Sequence, residues 1–140
     1  MCLGGLARRL LLRSFDTVVL VTHAGDDEPF ARPMAIAHVE DNCDIWFVTS
    51  ADSAKVTEIM AESRVQVICQ NGWSSSVVVA GIGSIVDDRV KLRELWKKSF
   101  EVWFPDGVDD PNAVLIRVKG SRGEYWDNTG VNKLVYACQA

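Results

Sequence analysis

The sequence predicts a mainly β domain with flanking helices (α+β): an antiparallel barrel, closed or nearly closed, with helices plugging its ends. Three observations carry this. Short runs rich in β-branched and aromatic residues recur along the chain, the composition that fits a pleated, half-buried surface. Turn-length polar segments separate most of them, and short turns join antiparallel neighbours, whereas parallel strands need a long crossover. The length of 140 residues suits one domain, residues 1–140, able to bury roughly two-thirds of its unfolded surface.

The N-terminal MCLGGLARRLLLRSF is an apolar run interrupted by Arg8, Arg9 and Arg13. It is too broken for a secretory leader and too short for a membrane span, and reads as an amphipathic helix of a cytoplasmic protein. TVVLVTHAGDDEPFARPMAIAHV holds two β-rich runs joined by the polar AGDDEPFARP, a hairpin signal. The turn EDNCD leads into the strand IWFVTS. DSAKVTEIMAES places Val56, Ile59 and Met60 at helical spacing, with Asp52 or Ser53 as N-cap. RVQVICQ alternates Val65, Val67 and Cys69 with polar partners, and with SSSVVVAGIGSIV it gives two further strands.

Asp87 and Asp88 then open a helix over VKLRELWKKSFEVWF. Its apolar face is Leu92, Leu95, Trp96, Phe100 and Trp103, and it stops at Pro105 and Gly107. VLIRVKGSRGEYW supplies one or two last strands, and NTGVNKLVYACQA has no assignment.

A composition of 48% hydrophobic and 24% charged residues is that of an ordinary globular protein. The net charge of −4, with no basic stripe, argues against a nucleic-acid surface, which needs clustered Lys and Arg. The cysteines, Cys2, Cys43, Cys69 and Cys138, form no CxxC pair and are accompanied by only two histidines. They read as free thiols of a reducing compartment, and no metal site is expected.

Most local motifs read as structure. GIGSIV, Gly81 to Val86, follows a strand like a dinucleotide-binding turn, but Val86 stands at the third glycine position. Gly81 and Gly83 are better read as a bulge or a close approach of another backbone. His23 and His38 lie on strands without an evident nucleophile partner. The acidic DGVDDPN lacks the ligand spacing of a calcium loop and reads as a solvated turn.

FVTSADSAK, Phe47 to Lys55, is different. Thr49, Ser50 and Ser53 surround a helix start, and Lys55 sits in the first turn, where a cation opposes the helix dipole. Unpaired N–H groups at a helix N-terminus bind anions. Asp52 opposes this, since its carboxylate would cap the helix by itself and repel a phosphate. On these residues alone, an anion site and a plain capped helix both remain open.

Several segments, in order, resemble the flavin mononucleotide (FMN)-binding split-barrel proteins related to pyridoxamine 5′-phosphate oxidase, and within them the bacterial general stress protein branch. They are ARPMA (31–35), IWFVTSADSAK (45–55), SVVVAGIGSIVDD (76–88), LWKKSFEVWFPDG (95–107) and RGEYWD (122–127). The resemblance implies an antiparallel split β-barrel and a homodimer with FMN at the subunit interface. In that scheme Arg32, Pro33 and Met34 lie along the ring and ribityl chain, and Phe47, Val48 and Thr49 line the neighbouring strand. Ser50, Ser53 and Lys55 take the phosphate, and Ser76 and Trp126 close the pocket from the second subunit. Trp103 is either a further flavin contact or core.

Three positions depart from the oxidase. Ala54 stands where it has an arginine before the phosphate-binding lysine, Ala37 where it has a lysine, and the C-terminal tail lacks its substrate-gripping Arg- and His-containing segment. The resemblance therefore implies a flavin-dependent oxidoreductase with a small-molecule electron donor or acceptor, but not a true pyridoxamine phosphate oxidase. The competing classes are a non-catalytic flavin-binding or buffering protein and a split barrel holding haem or deazaflavin. No residue is singled out as a catalytic acid or base.

Overall fold

The computed structural model describes residues 17–25, 28–42, 44–71, 75–127 and 133–137. The expected N-terminal helix and Cys2, Cys43 and Cys138 lie outside them. The described elements are β1 (Thr17–His23), β2 (Pro29–Ala35), β3 (His38–Val39), β4 (Ile45–Ser50), helix α1 (Ala54–Ala61), β5 (Arg64–Asn71), β6 (Ser75–Val86), helix α2 (Arg89–Leu95), two 3₁₀ turns (Lys98–Val102 and Gly107–Asp109), β7 (Ala113–Asp127) and β8 (Lys133–Ala137). One sheet runs β2-β1-β5-β6-β7-β4-β3, with β8 added to β7. Each pairing is antiparallel, as expected from the short connections, and the architecture is the mainly β split barrel that the resemblance implies.

Alternation along the strands divides the apolar residues between two cores. Ile45 and Phe47 on β4 face a barrel interior shared with Val18, Leu20, Val67, Val79, Ile116 and Val118. Trp46 faces the opposite side, where Leu92, Leu95, Phe100, Phe104 and Leu115 form a second cluster under α2 and the first 3₁₀ turn. Helix α1 closes one end of the barrel by inserting Ile59 into the interior. Cys69 is buried there as well, and desolvation pushes its thiol up to about 12, so it is inert at neutral pH.

The glycine motif is structural. The β6–β7 register shifts at Ala80/Gly81, and a Cβ on Gly81 would lie 2.5 Å from the Lys119 carbonyl oxygen. This is the bulge and close backbone approach read from the sequence, and it leaves no dinucleotide-binding turn. Asp88 caps α2 by accepting from the Val90 and Lys91 amides.

Three expectations need correction. β2 starts at Pro29, inside the segment read as a connection, because β1 pairs down to His23 opposite Pro29. Pro29 and Pro33 are four residues apart on an edge strand, so both can turn the nitrogen that lacks a proton away from β1. The long helix read through to Pro105 ends at Leu95, where the chain becomes extended at Trp96. This break lets Phe100 and Phe104 both reach the Trp96 ring, with centroids 5.5 and 5.9 Å away. It also turns Trp103 out of the stripe, to 67% exposure, so that residue is not core. The one or two last strands expected from the sequence are a single long β7, and part of the tail left without assignment pairs with it as β8.

A candidate ligand cleft at the seam of the barrel

β2 and β4 approach each other without pairing, because they belong to opposite ends of the sheet order. A cleft of about 420 Å³ opens along that seam, lined by Pro33, Met34 and Ala35 of β2, Val48, Thr49 and Ser50 of β4, Lys55 of α1, and Phe100, Trp103 and Phe104. This volume lies within the roughly 300–1,000 Å³ range of small-molecule sites. One end is apolar and aromatic; the other carries two hydroxyls and an ammonium group.

The polar end follows from how β4 passes into α1. Thr49 is buried, and its Oγ1 accepts from Lys55 Nζ at 3.0 Å and lies 3.5 Å from Ser53 Oγ. Ser53 is the N-cap residue, yet its side chain makes no capping bond. Asp52 does not cap the helix either: its carboxylate accepts from the Ser50 hydroxyl at 2.7 Å. Asn112 donates to Ser50 and, at 3.5 Å, to Asp52. The donors of the first helical turn are thus left without a side-chain cap. Lys55 has no ion pair with a carboxylate among the described residues. Burial, with the Arg32 guanidinium nearby, holds its ammonium below the ordinary lysine value, against a smaller opposite pull from Glu58. Such an end suits an anion, and the walls suit a flat apolar body.

Of the residues picked from the sequence, Pro33, Met34, Val48, Thr49, Ser50, Lys55 and Trp103 line this one cleft, and Ser53 adjoins it through Thr49. Arg32 does not line it: its side chain turns back to Glu58 and Thr22. The Phe47 side chain is fully buried in the barrel interior, on the face of β4 opposite Val48. Ser76 and Trp126 stand directly opposite each other on β6 and β7, outside the cleft of their own chain. Ala35, Phe100 and Phe104 line it without having been picked. Phe100 carried only a helical-stripe signal and Phe104 lay outside the stripe, so neither gave a hint that the helix would break beside the seam.

Among the described residues no three His, Cys, Asp or Glu side chains are placed to hold a metal ion, and no helix is long and apolar enough to cross a membrane.

An antiparallel barrel left open along one seam, with a cleft in that seam, defines the split-barrel class. The profile of the family described as pyridoxamine 5′-phosphate oxidase like matches residues 8–140, and the chain belongs to that family. General stress protein 26 of Bacillus subtilis is 30% identical over 96 residues, 66% of this chain and 66% of that protein. Protein bli-3 of Neurospora crassa is 30% identical over 108 residues, 68% of this chain. The chain spans only about half the length of bli-3. Among solved structures, a Clostridium acetobutylicum protein related to general stress protein 26 superposes with a TM-score of 0.80 at 18% identity, covering 95% of this chain and 93% of that one. A pyridoxamine 5′-phosphate oxidase-related, FMN-binding protein of Nostoc punctiforme superposes at 0.65 with 17% identity, covering 94% and 84%.

Proposed function

We propose that this chain binds flavin mononucleotide in the seam cleft and serves as a flavin-dependent oxidoreductase of the general stress type. One observation carries the reading. A single cleft joins apolar and aromatic walls to a polar end where Lys55, hydrogen-bonded to Thr49 and unpaired with acid, stands over an uncapped helix start. The description of the Nostoc neighbour as FMN-binding supports the choice of ligand. Bound there, the flavin would supply one- or two-electron transfer, which no side chain in the cleft offers.

The chain's own residues would hold the ligand. Lys55 and Ser53 would take the phosphate together with the first-turn amides. Pro33, Met34 and Val48 would flank the ring, and Trp103 would cover its open side. Ser50 would contribute less, because its proton is already donated to Asp52. Ser76 and Trp126 would act from a second copy: they share one rung of the β6–β7 ladder and do not line the cleft of their own chain. A homodimer with two such sites is part of the proposal.

One observation favours a second reading, a flavin-holding protein without substrate chemistry. Lys55 is the one ionisable residue among the described residues lining the cleft, so no acid or base stands ready to move a substrate proton. The first experiment is the visible spectrum of the purified protein, alone and titrated with FMN, alongside its mass in solution. A bound-flavin spectrum and a dimer mass are expected; a protein that stays colourless at saturating FMN would overturn the assignment. If flavin binds, reoxidation of the reduced complex by small acceptors no faster than by air would favour the holding role.

A further inference from the structure

Arg32 was expected at the ligand, yet its guanidinium is committed elsewhere. It donates to the Glu58 carboxylate at 2.7 Å and to the Thr22 hydroxyl, and that hydroxyl donates in turn to the same Glu58 oxygen at 2.7 Å. The three side chains come from β2, α1 and β1. Thr22 is fully buried, and the Arg32 and Glu58 side chains are only 20% and 15% exposed, so the cluster is shielded from the screening that weakens surface pairs. Each member satisfies another, as partly buried polar groups require.

The placement of this cluster gives it a consequence for the cleft. Glu58 and Lys55 are three residues apart on α1 and therefore share a face of the helix. The pair fixes α1 to the β1–β2 hairpin, and β2 carries the opposite wall of the cleft. Arg32 and Glu58 also neutralise each other, which leaves Lys55 as the uncompensated charge at the polar end.

We propose that Thr22, Arg32 and Glu58 form a positioning cluster that sets Lys55 and the α1 start at the distance from β2 needed to grip the anionic end of the ligand. The inference rests on the flavin reading above and concerns only the phosphate-dependent part of binding. Riboflavin has the same ring and ribityl chain as FMN without the phosphate, so the ratio of the two affinities isolates that part.

The test compares dissociation constants of FMN and riboflavin, by quenching of flavin fluorescence, in the wild type and in Thr22→Val, Thr22→Ser and Glu58→Asp. None of these substitutions changes the net charge. In the wild type, FMN should bind at least about tenfold more tightly than riboflavin, the worth of one charge-assisted hydrogen bond. Thr22→Val removes the shared hydroxyl and Glu58→Asp draws the carboxylate back; both should lower the ratio about five- to tenfold with riboflavin affinity unchanged. Thr22→Ser, which restores the hydroxyl, should keep the wild-type ratio. Should Thr22→Val fail to fold, Glu58→Asp carries the same readout at a partly buried helix position. An unchanged ratio in the folded variants, or equal weakening of both ligands, would overturn the positioning role while leaving the flavin site in place. A wild type that binds neither flavin would overturn the site itself and the inference with it.

Discussion

The β6–β7 pair and the β2–β4 seam are built from the same kind of strand and end up with opposite roles. β6 is matched by β7 from Ser75 opposite Asp127 to Val86 opposite Leu115, with one shift at the bulge. β2 and β4 face each other with no rung between them, and the space they leave is the cleft. A continuous ladder consumes its backbone donors and acceptors and excludes solvent, so it is suited to stability. A seam leaves edge groups and side chains available, so it is suited to a ligand. The molecule thus separates its stabilising region from its candidate binding region, and substitutions in the two should separate stability from affinity.

The largest expected effect lies on the ladder. Gly81→Ala would drive its Cβ to 2.5 Å from the Lys119 carbonyl oxygen; forcing the strands apart should cost about 1–3 kcal/mol, read as a lower urea midpoint. FMN affinity of the folded protein should not move, and a large loss of affinity would break the separation of roles. Next comes the seam. Lys55→Ala should weaken FMN about 10- to 100-fold, the worth of a charge-assisted hydrogen bond, with riboflavin affinity and urea midpoint nearly unchanged. Equal weakening of both flavins would remove Lys55 from the phosphate end.

The same lysine gives a pH dependence with a definite sign. Its value is lowered by burial and by Arg32, so in the free protein it loses its proton at a lower pH than an ordinary lysine, near 10.4. The flavin phosphate is a dianion above about pH 6 and does not change in that window. FMN affinity should therefore fall as pH rises toward 10, and Lys55→Ala should flatten the profile.

The smallest effect is at Asp52. Its exposed carboxylate sits one hydroxyl away from the cleft, on Ser50, and two hydrogen bonds, from Ser50 and then Asn112, hold it below the usual carboxylate range. Asp52→Asn keeps an acceptor for Ser50 and removes the repulsion. It should tighten FMN about two- to threefold, as solvent-screened charges do, with riboflavin unaffected in parallel titrations.

How much of this was legible in the residues depends on the range of the interaction. Val65, Val67 and Cys69 alternate in sequence and are all buried in the structure, because side-chain period on a strand is a local property. The Asp88 cap and the β6 bulge were legible for the same reason. Lys55 and the hydroxyls at the α1 start could be seen as an anion site or a capped helix, and only the orientation of Asp52, drawn off by Ser50 and by Asn112 some sixty residues later, leaves the helix uncapped. The stripe through Trp103 was a correct count of spacing but misjudged the helix length. Burial of both Phe100 and Phe104 against Trp96 outweighed a continued helix, and no local pattern encodes that competition.

The sequence by itself determined most of the strands, the two described helix starts, the antiparallel class and the hydroxyl and ammonium groups gathered at the α1 start. Hydrophobic period, capping residues and turn length act over a few positions and are written in the chain. Only the tertiary structure decided that the barrel stays open between β2 and β4, that Arg32 turns from the cleft to Glu58 and Thr22, and that Phe47 faces the core while Val48 faces the cleft. Those outcomes depend on which surfaces meet across distant segments, where desolvation and pairing of charges choose among arrangements that the local sequence permits equally.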